Sequence, residues 1–303
     1  VSTLFPALKA IGEEEGERIF YLTAKTITRQ VAEDALEALK DVGAETKSVT
    51  LTAKDKICFL DETTCNPDQC PYANGYYNRI NEGLWDLLNH ENQITREVIE
   101  TYAKKHTLCP FELSLDVSLW CDVIIGDYNY LFDPTVYLRR FFEGEKNEDH
   151  LFLIDEAHNL VSRSREMYSA KLSYRSARNV YALIPKEFKK LRRRFNKLLK
   201  AFDQIQEISN EDGWTYHHQK APADTLVNAG YQLSEHIQEW LAEYPEHAIQ
   251  ETLLPFYFDL LHFLKISEFY DDHYETTVEK TYQDFVIKAF CIDPSDFLEQ
   301  SLA

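Results

Sequence analysis

Methionine is almost missing from these 303 residues: Met167 is the only one, and the chain opens on Val1. No charged-then-apolar leader with a small-residue cleavage site is present. The sequence therefore reads as an internal stretch of a longer polypeptide, with a cytoplasmic setting expected. Glycine is scarce as well, nine residues or about 3% against a usual share of about 7%, which favours long helices over tight turns. No apolar run reaches the roughly 18–20 residues that span a bilayer, since the best candidate, LLPFYFDLLHFLKI, is broken by Asp259 and His262. No membrane partner is expected. Positive charge is in deficit, 32 Lys and Arg against 51 Asp and Glu for a net −19, so any contact with a phosphate backbone must come from local patches. A hydrophobic share of 44% excludes disorder and collagen-like repeats, and the length suits about two domains.

The chain does carry alternation. STLFPALKAIG reads as a helix ending at Gly12, RIFYLTA as a strand, TITRQVAEDALEALKDVG as a capped helix closing at Gly43, and SVTLTA as a second strand. Such alternation means a parallel sheet with crossover helices. From Asp55 to Cys109 the pattern breaks into turns and two helices, NRINEGLWDLLNH and ITREVIETYAKKH. Strands resume in CDVIIGDYNYLF and HLFLIDEAHNL, separated by the charged loop EGEKNED. After about residue 163 long helical patterns dominate, interrupted by the polar loop ISNEDGWTYHHQKAPAD. The late β-like run DFVIKAFCID, with a helix start at Asp293-Pro294-Ser295, predicts a return to the first domain.

Cysteine is unevenly spread. Cys58, Cys65, Cys70 and Cys109 form the pattern C-x6-C-x4-C-x38-C, while Cys121 and Cys291 sit in apolar runs and read as small core residues. A disulfide framework suits a small secreted domain without a core, and this chain has neither property. Ligation of an inorganic centre is the better account, helped by the Cys-Pro turns at Cys70 and Cys109. Four thiolates satisfy a 4Fe-4S cluster or a tetrahedral zinc ion equally in number. Structural zinc usually shows two close Cys pairs, and only Cys65 and Cys70 approach one, which inclines the reading toward the cluster.

In Leu151-Phe152-Leu153-Ile154 an apolar strand ends in Asp155-Glu156-Ala157-His158. A buried strand delivers adjacent carboxylates to the sheet edge where ligands bind in open α/β folds. There Asp155 can hold Mg²⁺ through water, and Glu156 can orient or deprotonate an attacking water in phosphoryl transfer. A plainer reading makes Asp-Glu the cap of the next helix. The stretch KEFKKLRRRFNKLLK, Lys186 to Lys200, has eight basic residues and one acidic. Its apolar 3,4,3,4 spacing through Phe188, Leu191, Phe195, Leu198 and Phe202 makes it first a helix with a solvated back, and second a candidate nucleic-acid contact.

Taken together, LIDEAHNL, the four-cysteine insertion and CDVIIGDYNYLFDP resemble the XPD and DinG family of iron-sulfur DNA helicases. The resemblance implies an α/β fold: a partial RecA-like parallel sheet with a cysteine-rich Fe-S insertion and a mainly helical Arch insertion. It implies motor-domain segments at 1–57 and 110–162, a cluster domain at 58–109, an Arch at 163–282 and a return to the motor domain at 283–303. The implied activity is ATP-dependent 5′-to-3′ DNA unwinding within superfamily two, with ATP and Mg²⁺ at the motor and single-stranded or forked DNA as partner. Cys58, Cys65, Cys70 and Cys109 match the 4Fe-4S ligands, Asp155 and Glu156 the Walker B acids, and His158 the position coupling hydrolysis to DNA. Lys25 and Thr26 resemble a strand-end contact to single-stranded DNA, and Lys54 a basic position beside the cluster. Asn129 matches the family's turn without an assigned role. Tyr76, Tyr77 and Trp85 are candidate stacking platforms, burial being the expected fate of Trp85. The G-x-x-x-x-G-K-[ST] loop that cradles phosphates occurs nowhere in the sequence, so the chain alone is not expected to be an active ATPase. The alternatives are a DNA-binding or protein-docking module built on structural zinc, and a nuclease-linked or repair-associated relative.

Overall fold

The computed structural model describes residues 2–61, 65–143, 149–210 and 216–302. Most of the charged loop EGEKNED and the middle of the polar loop at 208–224 lie outside these residues, as does the side chain of Thr26. Contacts divide the chain into two units, Val1–Leu131 with Tyr137–Leu160, and Phe132–Val136 with Val161–Ala303.

In the first unit, strands β1 (Arg18–Leu22), β2 (Ser48–Thr50), β3 (Gln93–Ile94), β4 (Val123–Gly126) and β5 (His150–Ile154) form a sheet in the order β3-β2-β4-β1-β5. Every pairing is parallel. The expected parallel α/β sheet is thus present, with β3 an extra member contributed from within the cysteine-bearing insertion. That strand escaped the sequence reading because two residues carry no period. Side chains alternate across the sheet. Ile19 and Tyr21 of β1 and Val123 and Ile125 of β4 face one way, and there they meet Ala32, Ala35, Leu36 and Leu39 of the helix Thr26–Asp41. The helical members recur every three or four residues, the spacing of a single buried stripe. On the other face Phe20 packs among the rings of Phe141, Phe142, His150 and Phe152. The helix Thr26–Asp41 stops where expected: Gly43 takes φ +100°, open to glycine without a Cβ penalty, and its N–H donates to Lys40 O at 2.9 Å. At its start no side chain caps the helix, contrary to the capped start the sequence suggests.

The second unit corrects two expectations. It is mostly helical, but it also contains an antiparallel sheet of β6 (Ala170–Ser173), β7 (Tyr216–Gln219), β8 (Tyr274–Lys280) and β9 (Phe285–Cys291), in the order β6-β9-β8-β7. The run DFVIKAFCID does form a strand, β9, but it does not rejoin the parallel sheet; it pairs with β8 and β6, and residues 283–303 belong to the second unit. Alternating burial along β9 marks a strand with one face packed, typical of antiparallel pairing. That pattern identifies a strand without naming its neighbour. The helix Lys189–Asn210 buries Leu191, Phe195, Leu198 and Phe202 completely, as the spacing predicts. Phe188 precedes the helix and packs edge-on against Trp240 at 5.2 Å. Phe195→Ala is expected to cost about 3–5 kcal/mol by cavity formation, read as a lowered urea midpoint at unchanged slope. No helix among the described residues is long and apolar enough to cross a membrane.

Candidate functional site

Strands β1, β4 and β5 pair in register, Leu22 opposite both Gly126 and Ile154, so all three end at one level of the sheet. Their exits therefore share one edge. Asp155 follows β5 directly: its N–H donates to Leu22 O at 2.9 Å, and its carbonyl accepts the hydroxyl of the fully buried Tyr128. Glu156 takes φ +53°, a left-handed conformation that costs a non-glycine residue of order 1 kcal/mol, and its carbonyl accepts from Asn159 N–H at 2.9 Å. The sharp turn brings the Glu156 carboxylate to Lys25 Nζ at 3.8 Å and His158 Nε2 at 3.4 Å. Lys25 lies three residues beyond β1 and is well exposed, like His158. Such half-exposed pairs contribute at most about 1 kcal/mol, so they can be exchanged for a ligand. The Asp155 charge reaches Tyr21, whose phenol is held above its ordinary pKa first by burial and second by that carboxylate.

Of the residues singled out by sequence, Asp155, Glu156, His158 and Lys25 thus share one edge. Thr26 opens the helix that starts there, and Lys54 lies elsewhere in the unit, in the helical turn Lys54–Ile57. Sequence reasoning missed three neighbours. Arg29 pairs with Asp127 at 3.4 Å and donates to Leu51 O at 3.4 Å. Thr28 donates to Lys25 O at 2.8 Å and its hydroxyl also meets that of Thr23. The available signal was position: Asp127 immediately follows β4, and Arg29 stands one helical turn after Lys25. Asn129 donates its N–H to Asp127 Oδ1 at 3.1 Å, closing a side-chain turn.

The cysteines form a looser group. Cys58 ends the helical turn Lys54–Ile57, Cys109 caps the start of the helix Pro110–Ser118, Cys65 is exposed and Cys70 is buried; all are free thiols. The Lys54 ammonium is held above its ordinary pKa, first by the neighbouring Cys65 thiol and less by Glu112 and Cys109. Burial pushes the Cys109 thiol up, opposed by the N–H groups of Glu112 and Phe111 that point at its sulfur. Cys65 and Cys109 therefore both border Lys54. Among the described residues no three Cys, His, Asp or Glu are already gathered around a metal-sized space. The donor chemistry fits a thiophilic centre, with free thiols and the Lys54 cation nearby. Cys121 and Cys291 are core residues, with burial raising their thiols to about 12 and about 11.

The aromatic candidates divide differently from expectation. Trp85, expected to be buried, is 68% exposed, and Tyr77 is 87% exposed. The inner stripe of the helix Tyr76–His90 is already filled by Tyr76, Ile80, Gly83 and Leu87, and Trp85 falls off that spacing. Tyr76 offers no platform, being buried with its hydroxyl on Asp116 Oδ2 at 2.7 Å. On the helix Lys189–Asn210, Lys189, Lys190, Arg193, Lys197 and Lys200 are exposed. At about 100° per residue they share a sector of about 100°, opposite the buried Leu191 and Phe195.

Comparison with known proteins agrees with the fold. The DEAD_2 family model matches residues 38–177. The chain is 25% identical over 222 residues to the general transcription and DNA repair factor IIH helicase subunit XPD of Schizosaccharomyces pombe, covering 68% of this chain and 27% of that protein. It is 30% identical over 122 residues to the regulator of telomere elongation helicase 1 homolog of Caenorhabditis elegans, covering 40% and 12%. A solved structure described as truncated XPD superposes with a TM-score of 0.58 at 16% identity, over 99% of this chain and 82% of that one, a likeness of fold. The chain spans about a quarter of the length of its XPD relatives. Residues 38–177 thus match the DEAD_2 family model, and the chain is similar in sequence to XPD helicase subunits over part of their length and in fold to a truncated XPD.

Proposed function

We propose that this chain is the part of an ATP-dependent 5′-to-3′ DNA helicase that couples the hydrolysis site to single-stranded or forked DNA. The observation that carries the reading is the shared edge of β1 and β5, where Glu156 lies 3.8 Å from Lys25. Asp155 would hold Mg²⁺, which when bound would neutralise phosphate charge, while Glu156 takes the proton of the attacking water and His158 relays the state of the site toward DNA. Lys25, with Thr26, meets the strand's phosphates. Because Lys25 also pairs with Glu156, a phosphate that draws Lys25 away changes the surroundings of the catalytic carboxylate. In this reading 1–57 and 110–162 are motor domain, 58–109 is the cluster domain and residues 163–303, all within the second unit, are the Arch.

Cys58, Cys65, Cys70 and Cys109 are the proposed ligands of a 4Fe-4S cluster. When bound, the cluster supplies a rigid cross-link between segments distant in sequence. The protein's own part is Lys54, whose cation balances thiolate charge at Cys65 and Cys109 and remains close to any strand passing the cysteine loops.

Single-stranded DNA binding measured by fluorescence anisotropy tests the reading. Affinity is expected to fall steeply with salt, because the phosphate term must overcome a net charge of −19. Reversing Lys190, Arg193 and Lys197 together to Glu is expected to weaken binding at least about tenfold at low salt and to flatten the log–log salt slope by about two, near 0.7 per lost contact. Lys54→Glu is expected to weaken binding on its own. Binding indifferent to salt and to all four reversals would remove DNA from the proposal.

A further inference from the structure

Cys70 and Cys109 are separated by 38 residues, yet one side chain bridges the loops that carry them. Arg79, in the helix Tyr76–His90, donates through Nη2 to Pro71 O at 3.3 Å and Asn74 O at 2.6 Å. The same guanidinium donates to Thr107 O, from Nη2 at 2.7 Å and from Nε at 3.1 Å. Pro71 directly follows Cys70, and Thr107 stands two residues before Cys109.

The backbone around Arg79 is fitted to this contact. Gly75 has φ +63°, and a Cβ there would stand 3.0 Å from Arg79 Nη1. Thr107 is left-handed at φ +54°, a conformation rare for a β-branched residue; its carbonyl receives two of the four bonds. Thr107 leads into the fully buried Leu108, whose Cδ1 would come within 2.5 Å of a Cβ at Gly83. The turn that delivers Cys109 is therefore registered on the helix Tyr76–His90 at two points. On the other side, Ala73 and Asn74 donate their N–H groups to Cys70 O at 3.1 and 3.0 Å, so Asn74 and Cys70 form one local unit. A planar guanidinium fork has fixed directions that an ammonium lacks.

We propose that Arg79 is a positioning residue of the cysteine site, setting the spacing of Cys70 and Cys109 before a metal or cluster binds. The inference rests on the reading of the four thiols as a ligand set, and its test separates the two.

In the metal-free chain, iodoacetamide labelling with peptide mass spectrometry follows each cysteine separately. Arg79→Ala and Arg79→Lys are both expected to label Cys70, 8% exposed in the native arrangement, about tenfold faster through local opening. Cys121 and Cys291 should stay slow, showing that the fold is intact. After reconstitution with iron and sulfide, both variants are expected to retain less than about half of the wild-type iron, as loss of outer-shell support lowers metal affinity about 10–100-fold, with an altered visible spectrum. An unchanged Cys70 rate, or one that rises only together with Cys121 and Cys291, overturns the proposal. So does full iron with an unaltered spectrum in Arg79→Ala. A wild-type chain that takes up no iron removes the cluster reading, while the labelling result still decides the role of Arg79.

Discussion

Purified and reconstituted without oxygen, the chain is expected to be brown and to hold about four irons, and Cys109→Ser is expected to lose nearly all of them. Cys109 is the informative candidate ligand because it joins two sources of anion stabilisation. It stands at the N-cap position of the helix Pro110–Ser118, where the backbone N–H groups of Phe111 and Glu112 and the Lys54 ammonium all favour its thiolate. Serine keeps the size but is a poor ligand for a soft metal centre. Burial raises the thiol pKa, so the free thiol is protonated at neutral pH and iron must displace a proton. Metal uptake should therefore strengthen with rising pH through the thiol range. The damage should be confined to the insertion, because Ile19, Tyr21, Val123 and Ile125 pack with helix Thr26–Asp41 in a core that contains no cysteine. Far-ultraviolet dichroism should change little while the iron disappears. Stoichiometric zinc with no iron, from protein never exposed to air, would turn the reading to the structural-zinc module.

How much of this was legible beforehand depended on the range of the signal. The strand ending in Asp155-Glu156 was visible because an apolar run stopped by two acids is a local pattern, and the helix Lys189–Asn210 because four residues at 4,3,4 spacing can only be one buried stripe. Pairing was not visible. β9 showed the right period but nothing in it named β8 and β6 as neighbours. β7, Tyr-His-His-Gln, is half exposed throughout and has no apolar face to betray it. In the candidate site the same division holds. The acids announced themselves, whereas the approach of Lys25 to Glu156 follows only from the register of β1 on β5, which places Leu22 opposite Ile154. Arg29 and Asp127 came from strands and helices separated by 98 residues. Trp85 departs from the burial expected for so small a subdomain because it falls off the buried stripe of its helix.

Mixed with ATP, Mg²⁺ and single-stranded DNA, the chain is expected to show no helicase-like turnover, and Glu156→Gln is expected to leave the residual rate unchanged. The magnitudes decide which missing or present group governs. Holding reactants in a near-attack geometry accounts for about 7–11 kcal/mol of a barrier, while a well-placed general base contributes about 10²–10⁴-fold, or about 3–5 kcal/mol. The sequence contains the acids but no G-x-x-x-x-G-K-[ST] pattern, and in this chemistry that loop's amides and lysine cradle the β- and γ-phosphates while its hydroxyl completes the Mg²⁺ shell. Asp155 would have to hold both metal and nucleotide, and on a chain of net charge −19 an acidic edge attracts the cation while repelling the triphosphate. Lys25 lies 3.8 Å from Glu156, yet a single exposed ammonium screened by water cannot replace a preorganised cradle. A general base acts only on a positioned water, so removing Glu156 from an unpositioned site removes little. Turnover of many per minute that Glu156→Gln abolishes would show that this edge assembles a complete nucleotide site from groups other than the phosphate loop, with Arg29 and Thr28 the first residues to test.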